Sequence, residues 1–273
     1  MDVIILGSGA PLPDANRAGP ATLLRAGGKD FLFDCGRAVL MRGVAVGMTA
    51  QGLAALLVTH MHSDHTTDYN DVITTRWITS LRENPLTVYG PMGFGEFSAA
   101  VLAMLKNDIG YRMAHHVDLA QPPQVVVREV ESGVILEQDG LRILAAPTDH
   151  SPVHPTIGYR IEHGGKVVAI AGDTIPCAGL DEICRGADIY VQTVIRGDFI
   201  SRAPIQRLRE IQDYHSTVEQ AAHTAARAGV KTLVLNHMVP APQPGTEDQW
   251  IAQAAAHFKG EIHVAHDLLK LSL

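Results

Sequence analysis

Cysteine is scarce: three in 273 residues, at Cys35, Cys177 and Cys184. They are odd in number and none forms a CxxC pair, which excludes a disulfide framework and points to a reducing, cytoplasmic setting. Positive charge is also in short supply. Lys and Arg number 22 against 29 Asp and Glu, for a formal net charge of −7. A broad nucleic-acid footprint normally shows as a basic surface, so only a short or locally basic contact with RNA fits this balance. No apolar run approaches the ~18 residues of a membrane span, and no membrane partner is expected. The opening Met1-Asp2-Val3-Ile4-Ile5-Leu6-Gly7 lacks a basic leader region and turns at once to glycine. It reads as a first strand and not as a signal peptide. There is no GxSxG, hence no serine nucleophile elbow. Repeats, charge blocks and low-complexity linkers are missing too, so residues 1–273 read as one domain.

Histidine, by contrast, is plentiful, with 14 in the chain. The elements around these histidines follow from patterning. Val3 to Leu6 is a strand, followed by a turn at Gly7-Ser8-Gly9; the GxG lacks the rest of a dinucleotide fingerprint. Thr22 to Arg25 and Lys29 to Asp34 form a hairpin around Gly27-Gly28, and Leu53 to Val58 suits a buried strand. Helical spacing appears at Tyr69, Val72, Ile73, Trp77 and Leu81, and again at Phe94, Phe97, Val101, Leu102 and Leu105. Two hairpins follow, Val134–Leu136 with Leu141–Ala145 across Asp139-Gly140, and Thr156–Glu162 with Val167–Ala171 across Gly164-Gly165. Beyond them alternate a strand at Ile189 to Val191, a helix from Thr217, a strand from Lys231 to Leu235, a helix from Glu247 and a closing strand at Glu261 to Val264. Ser216-Thr217-Val218-Glu219 and Thr246-Glu247-Asp248-Gln249 match capping boxes, with Gly229 and Gly260 as stops. Strands interspersed with helices imply sheets covered by helices on their outer faces.

The run Thr59-His60-Met61-His62-Ser63-Asp64-His65 directly follows the strand Leu53 to Val58. Residues two apart on an extended chain point to the same side, so His60 and His62 can reach one cation. Asp64 and His65 stand where a helix begins and aim elsewhere, toward a second cation. Imidazole and carboxylate are suitable ligands for zinc, and Mn²⁺ or Fe²⁺ can take the same set. Four ligands cannot complete two sites. Three more ligand-type residues sit just beyond apolar strands: His150, Asp173 and His237. His154 competes with His150 in His150-Ser151-Pro152-Val153-His154, and would otherwise serve a supporting or substrate role.

The HxHxDH run, followed by Thr148-Asp149-His150, Ala171-Gly172-Asp173-Thr174 and Asn236-His237, resembles the metallo-β-lactamase superfamily over nearly the whole chain. Leu6-Gly7-Ser8-Gly9, Phe33-Asp34-Cys35-Gly36, Gly90-Pro91-Met92-Gly93, Gly158-Tyr159-Arg160 and His215-Ser216-Thr217 narrow the resemblance to the ribonuclease Z-like branch. It implies an α/β fold, an αββα four-layer sandwich with two mixed sheets. It further implies two zinc ions, with His60, His62 and His150 on the first, Asp64, His65 and His237 on the second, and Asp173 bridging them.

The expected chemistry is ester hydrolysis by hydroxide generated between two metals, with Asp64 orienting it or taking its proton. His215, before the Ser216 cap at a helix N-terminus, is expected to hold an anionic oxygen or protonate a leaving group. Ribonuclease Z-like sequences act on phosphodiesters, typically at the 3′ end of precursor tRNA, and a homodimer is compatible with the resemblance. Two departures stand out. Only residues 151–172 separate His150 from Asp173, where typical members insert a basic arm that grips tRNA, and Thr66-Thr67-Asp68 replaces the usual glycine after the HSDH run. Arg196, Arg202, Arg207 and Arg209 could contact a phosphate backbone or form a solvated loop. Relatives without an arm include arylsulfatase-like enzymes, which gives sulfate esters as the alternative. A lactonase follows, and a non-catalytic metal- or RNA-binding module comes last.

Overall fold

A computed structural model describes all 273 residues. Every residue of β1 (Asp2–Gly7) after the first is buried, and its neighbours alternate between two apolar layers: Val3 and Ile5 in one, Ile4 and Leu6 in the other. A strand buried on both faces reads as a continuous apolar run, and a sheet made of such strands must be covered on both sides. That single fact dictates the architecture. The αββα sandwich expected from the sequence is the fold observed.

The first sheet holds β1, β2 (Ala21–Ala26), β3 (Lys29–Phe33), β4 (Leu53–Leu57), β5 (Leu86–Gly90), β6 (Val125–Glu129) and β14 (Leu269–Ser272), in the order β14-β1-β2-β3-β4-β5-β6. The second holds β7 (Gly133–Gln138), β8 (Leu141–Pro147), β9 (Ile157–His163), β10 (Lys166–Ile170), β11 (Ile189–Ile195), β12 (Thr232–Val239) and β13 (Glu261–Val264), in the order β13-β12-β11-β10-β9-β8-β7. In each sheet antiparallel pairing gives way to parallel pairing midway, at β3–β4 and at β10–β11. Between the sheets Phe33 meets Tyr159 edge to face at 5.4 Å, a geometry that aromatic quadrupoles favour.

Helices α1 (Val39–Ala45), α2 (Ser63–Thr66), α3 (Tyr69–Thr79), α4 (Phe94–Met104) and α5 (Lys106–His115) belong to the first half of the chain. Val39, Tyr69, Val72 and Phe94 close the outer face of the first sheet. In the second half come α6 (Ala178–Cys184), α7 (Gly197–Ile200), α8 (Gln206–Arg209), α9 (Val218–Ala228) and α10 (Glu247–Ala255). Leu180, Ala222 and Trp250 close the second sheet.

Some expectations need correction. Glu261 to Val264 does not close the chain, because β14 follows and pairs with β1. The α9 cap is Thr217, one residue later than Ser216, with a reciprocal box to Gln220. At α10 no box forms: Thr246 makes no side-chain cap, and its hydroxyl instead donates to the Gln243 carbonyl. Gly229 does end α9 in a left-handed conformation, but α10 stops at Ala255, well before Gly260. β5, β6, α1, α5 and α6 were not anticipated. The interval 151–172 holds the hairpin β9–β10 and no arm.

Candidate metal centre

The site collects where strands of both sheets end at one edge. β4 delivers Thr59-His60 and then α2, whose first turn carries Asp64 and His65. β8 runs into His150 and β10 into Asp173. His237 differs from expectation: it lies inside β12, at an irregularity in the β11–β12 register and with φ of 48°. A bulge of this kind re-aims a side chain, here toward the metal edge. Gly172, at φ of 67°, precedes Asp173, and a Cβ there would come within 2.7 Å of the Thr59 side chain. Only glycine lets the two sheets approach so closely at this point.

The seven ligand-type residues converge in two groups. Donor atoms of His60, His62, His150 and Asp173 lie within 4.8 Å of one another, as do those of Asp64, His65 and His237. His60 Nε2 is 3.0 Å from His62 Nδ1, and His150 Nε2 is 3.4 Å from the same atom. In the second group His237 Nε2 stands 3.0 Å and His65 Nε2 3.6 Å from Asp64 Oδ2. Asp173 reaches both. Its Oδ2 is 3.9 Å from His60 and His150 and 3.6 Å from His237, while its Oδ1 is 3.5 Å from His65. His154 is exposed on the turn after His150 and takes no part in either group.

Three buried atoms in this cluster have no hydrogen-bond partner: His65 Nε2, His237 Nδ1 and Asp173 Oδ1. Unpaired buried polar atoms are costly and call for an explanation. Nitrogen and carboxylate donors converging on shared volumes fit divalent transition-metal ions. In the first group the electrostatics agree. Burial pushes His60 well down and His150 down to about 4, and likewise lowers His62, which keeps these imidazoles neutral as ligands must be. Burial also disfavours charge on His65 and Asp173, but their mutual attraction outweighs it. The Asp173 and Asp34 carboxylates raise His65, while His237 and His65 hold Asp173 well below the usual carboxylate range.

Sequence reasoning passed over Asp34 and Thr59, which orient the ligands. Asp34 sits at the end of β3 with φ of 57°. Its carboxylate accepts from the Thr59 N–H and O–H and from His65 Nδ1, the last at 2.8 Å. Thr59 Oγ1 in turn faces His60 Nδ1 at 3.0 Å. Both imidazoles are thereby fixed with Nε2 turned to the site, the arrangement that carboxylate–histidine pairs provide for metals. The signal was present in Phe33-Asp34-Cys35-Gly36, an acidic residue at a strand end.

His215 is drawn into the cluster by a different route than expected. Ser216 is not a cap, since its N–H and hydroxyl both bond to the Thr174 carbonyl. The Gln220 N–H in the first turn of α9 is taken up by Thr217. What positions His215 is its Nδ1 against the Ile211 carbonyl at 2.9 Å and its Nε2 against Asp173 Oδ2 at 3.2 Å. The segment 197–214 also supplies the Tyr214 carbonyl to His150 Nδ1 at 2.7 Å. Of the four arginines between positions 196 and 209, Arg196 is buried, paired with Asp198 and stacked on Phe199 and Trp250. Arg209 bonds the Ala203 carbonyl. Only Arg202 and Arg207 remain exposed and unpaired.

Comparison with known proteins gives concordant results. A profile described as a β-lactamase superfamily domain matches residues 29–238. The Ribonuclease Z of Mycobacterium avium is 54% identical over 275 residues, covering 100% of this chain and 98% of that protein. Among solved structures, the metallo-β-lactamase fold protein YhfI of Bacillus subtilis has a TM-score of 0.76 at 22% identity, covering 99% of this chain and 98% of the other. The short form of human tRNase Z has a TM-score of 0.74 at 22% identity, covering 100% and 99%.

Proposed function

This chain belongs to the metallo-β-lactamase superfamily, in its ribonuclease Z-like branch, and we propose that it works as a dinuclear zinc enzyme on RNA. It binds divalent metal and hydrolyses phosphodiester bonds, as its full-length kinship with ribonuclease Z requires. The observation that carries the two-metal reading is Asp173, whose carboxylate lies between the two donor groups. His60, His62 and His150 would hold the first ion, Asp64, His65 and His237 the second, and Asp173 both.

Bound there, two such ions would supply an activated water and positive charge against the phosphoryl oxygens. The chain's own groups do the rest. Asp64, whose Oδ2 lies 3.0 Å from His237 Nε2, can accept the proton of the attacking water through its remaining lone pairs. His215, with Nδ1 committed to the Ile211 carbonyl, presents Nε2 toward Asp173 and the reacting volume. That atom is the one placed to hand a proton to the departing oxygen.

RNA is the proposed substrate, with 3′ trailers of precursor tRNA as its natural form. The missing arm does not weigh against this. The Mycobacterium avium relative is aligned over 98% of its length without room for an added arm either. The proposed location is the cytoplasm, which suits three unpaired cysteines, and the proposed assembly is a homodimer, to be read by sedimentation. Tyr214, whose ring packs 5.2 Å from that of His150, lifts the lactonase above the sulfate-ester reading, since lactonases of this superfamily rely on a tyrosine near the metals.

The decisive experiment is parallel kinetics on precursor tRNA, a nitrophenyl phosphodiester, a nitrophenyl sulfate and a lactone, with elemental analysis of the same preparation. Two zinc ions per chain and turnover confined to the phosphodiesters are expected. Full activity with one ion, or a preference for sulfate or lactone, would overturn the proposal.

A further inference from the structure

Under the metal donors, where the two sheets close on each other, lies a cavity of about 20 Å³. Its polar walls are Thr22 and Asp34 from the first sheet and Thr193 and Asn236 from the second, with His65 alongside. Thr193 and Asn236 are direct cross-strand partners on β11 and β12, so both side chains stand on the same face of the sheet. Thr22 shares its face of β2 with Leu24, which packs in the layer between the sheets. All three are deeply buried, with relative exposures of 3%, 5% and 6% for Thr22, Thr193 and Asn236. The Asn236 side-chain oxygen is shielded from solvent and has no partner in the protein. Asp34 accepts three donors, from Thr59 and His65, and keeps room for one more among a carboxylate's roughly four acceptor positions.

We infer that this cavity holds one ordered water molecule. A buried water needs ~10–15 Å³ and about three polar partners, and both conditions are met. The water donates to Asn236 Oδ1 and to the free side of Asp34, and accepts from the hydroxyls of Thr22 and Thr193. Its two hydrogens and two lone pairs are then all used. An anion is excluded by the Asp34 carboxylate, and anything much larger than water by the volume. The water joins the two sheets beneath the site. On one side it touches the carboxylate that orients His65 and, through Thr59, His60. On the other it touches the residue that precedes His237 in β12.

A high-resolution crystal structure of the zinc-loaded protein tests this directly. One isolated peak is expected within ~2.7–3.2 Å of Asn236 Oδ1 and of at least one threonine hydroxyl. Magnetic relaxation dispersion should count one fewer long-lived water in Asn236→Leu than in the wild type. Thr193→Val keeps the shape while removing one donor, and should lower the peak's occupancy with the fold intact. A dry cavity in the wild type, or Asn236 Oδ1 bonded instead to a protein donor, would overturn the inference. So would a peak with contacts near ~2.4 Å, which marks a cation. Zinc content measured on the same samples keeps a failure of metal loading separate from a failure of the water.

Discussion

Asp34 and His65 meet at 2.8 Å across 31 residues of sequence, and the same carboxylate takes both the N–H and the O–H of Thr59. The pair is buried, with side-chain exposures of 7% and 1%. One aspartate thus governs the ring orientation of His65 directly and that of His60 through Thr59, although it is itself too far back to be a ligand.

Replacing Asp34 should therefore weaken metal binding without removing a ligand. Asp34→Ala frees His65 to rotate and leaves the Thr59 N–H unpaired. Partners of this kind are typically worth ~10–100-fold in metal affinity. Competition with a chromogenic chelator measures it, and circular dichroism checks the fold. Unchanged zinc affinity in a folded variant would show that Asp34 supports the loop alone.

Much of the fold and most of the site were legible before the structure. Strands buried on two faces announce themselves as unbroken apolar runs, and β1, β4 and β10 were readable for that reason. The hairpin turns at Gly27-Gly28, Asp139-Gly140 and Gly164-Gly165 were readable because glycine takes up left-handed backbone there. The HxHxDH run exposed four of the seven proposed ligands through spacing alone. What stayed hidden depends on tertiary context. α5 buries none of its residues, so it carries no strong stripe to read. β14 is a short strand whose identity comes from pairing with β1 at the other end of the chain. Asp34 read only as the last residue of a hairpin strand, because its partner is fixed by the β3–β4 pairing. Arg196 looked solvated, and only the packing of α10 reveals its stack on Trp250.

The arginines between positions 196 and 209 should separate by burial. Arg196 holds Asp198 with two hydrogen bonds and lies 4.4 Å from the Phe199 ring centre. Arg196→Ala should lower thermal stability by about 1–3 kcal/mol through lost packing and charge-assisted bonds. Arg202→Ala and Arg207→Ala should leave stability and nitrophenyl phosphodiester turnover unchanged. If these two contact RNA, each should weaken RNA binding and flatten its salt dependence by roughly one unit of slope. Binding isotherms at several salt concentrations decide it, and an unchanged slope in both variants would assign these side chains to solvent.

Acid stability should carry the mark of Asp188. Burial alone would raise its pKa, but the Lys231 ammonium at 2.7 Å and the Val167 N–H at 2.8 Å outweigh that and lower it. A carboxylate with a depressed folded pKa stabilises above its unfolded value of ~3.9, and the contribution fades as pH falls through the folded pKa. Asp188→Asn should therefore cost about 1–2 kcal/mol at pH 7. Its stability should converge on that of the wild type as pH falls below the depressed folded pKa. Urea titrations across that range give the answer, and a difference that persists at low pH would point to packing rather than charge.

His215 separates catalysis from metal binding. It contacts Asp173 at 3.2 Å, yet its other nitrogen is held by the Ile211 carbonyl and it belongs to neither donor group. His215→Ala should thus retain its zinc. Interactions made mainly in the transition state appear in kcat rather than KM, and a proton-donating side chain is typically worth ~10²–10⁴-fold. The loss should be large for a ribose leaving group, whose alkoxide needs a proton as the bond breaks. It should shrink for nitrophenolate, which departs readily as the anion. Measuring both substrates with one variant distinguishes three roles. A loss confined to the ribose leaving group supports proton donation. Equal losses on both would mean that His215 steadies Asp173 and the charge around it. Lost zinc would make it a prop for the metal centre instead, through the same 3.2 Å contact.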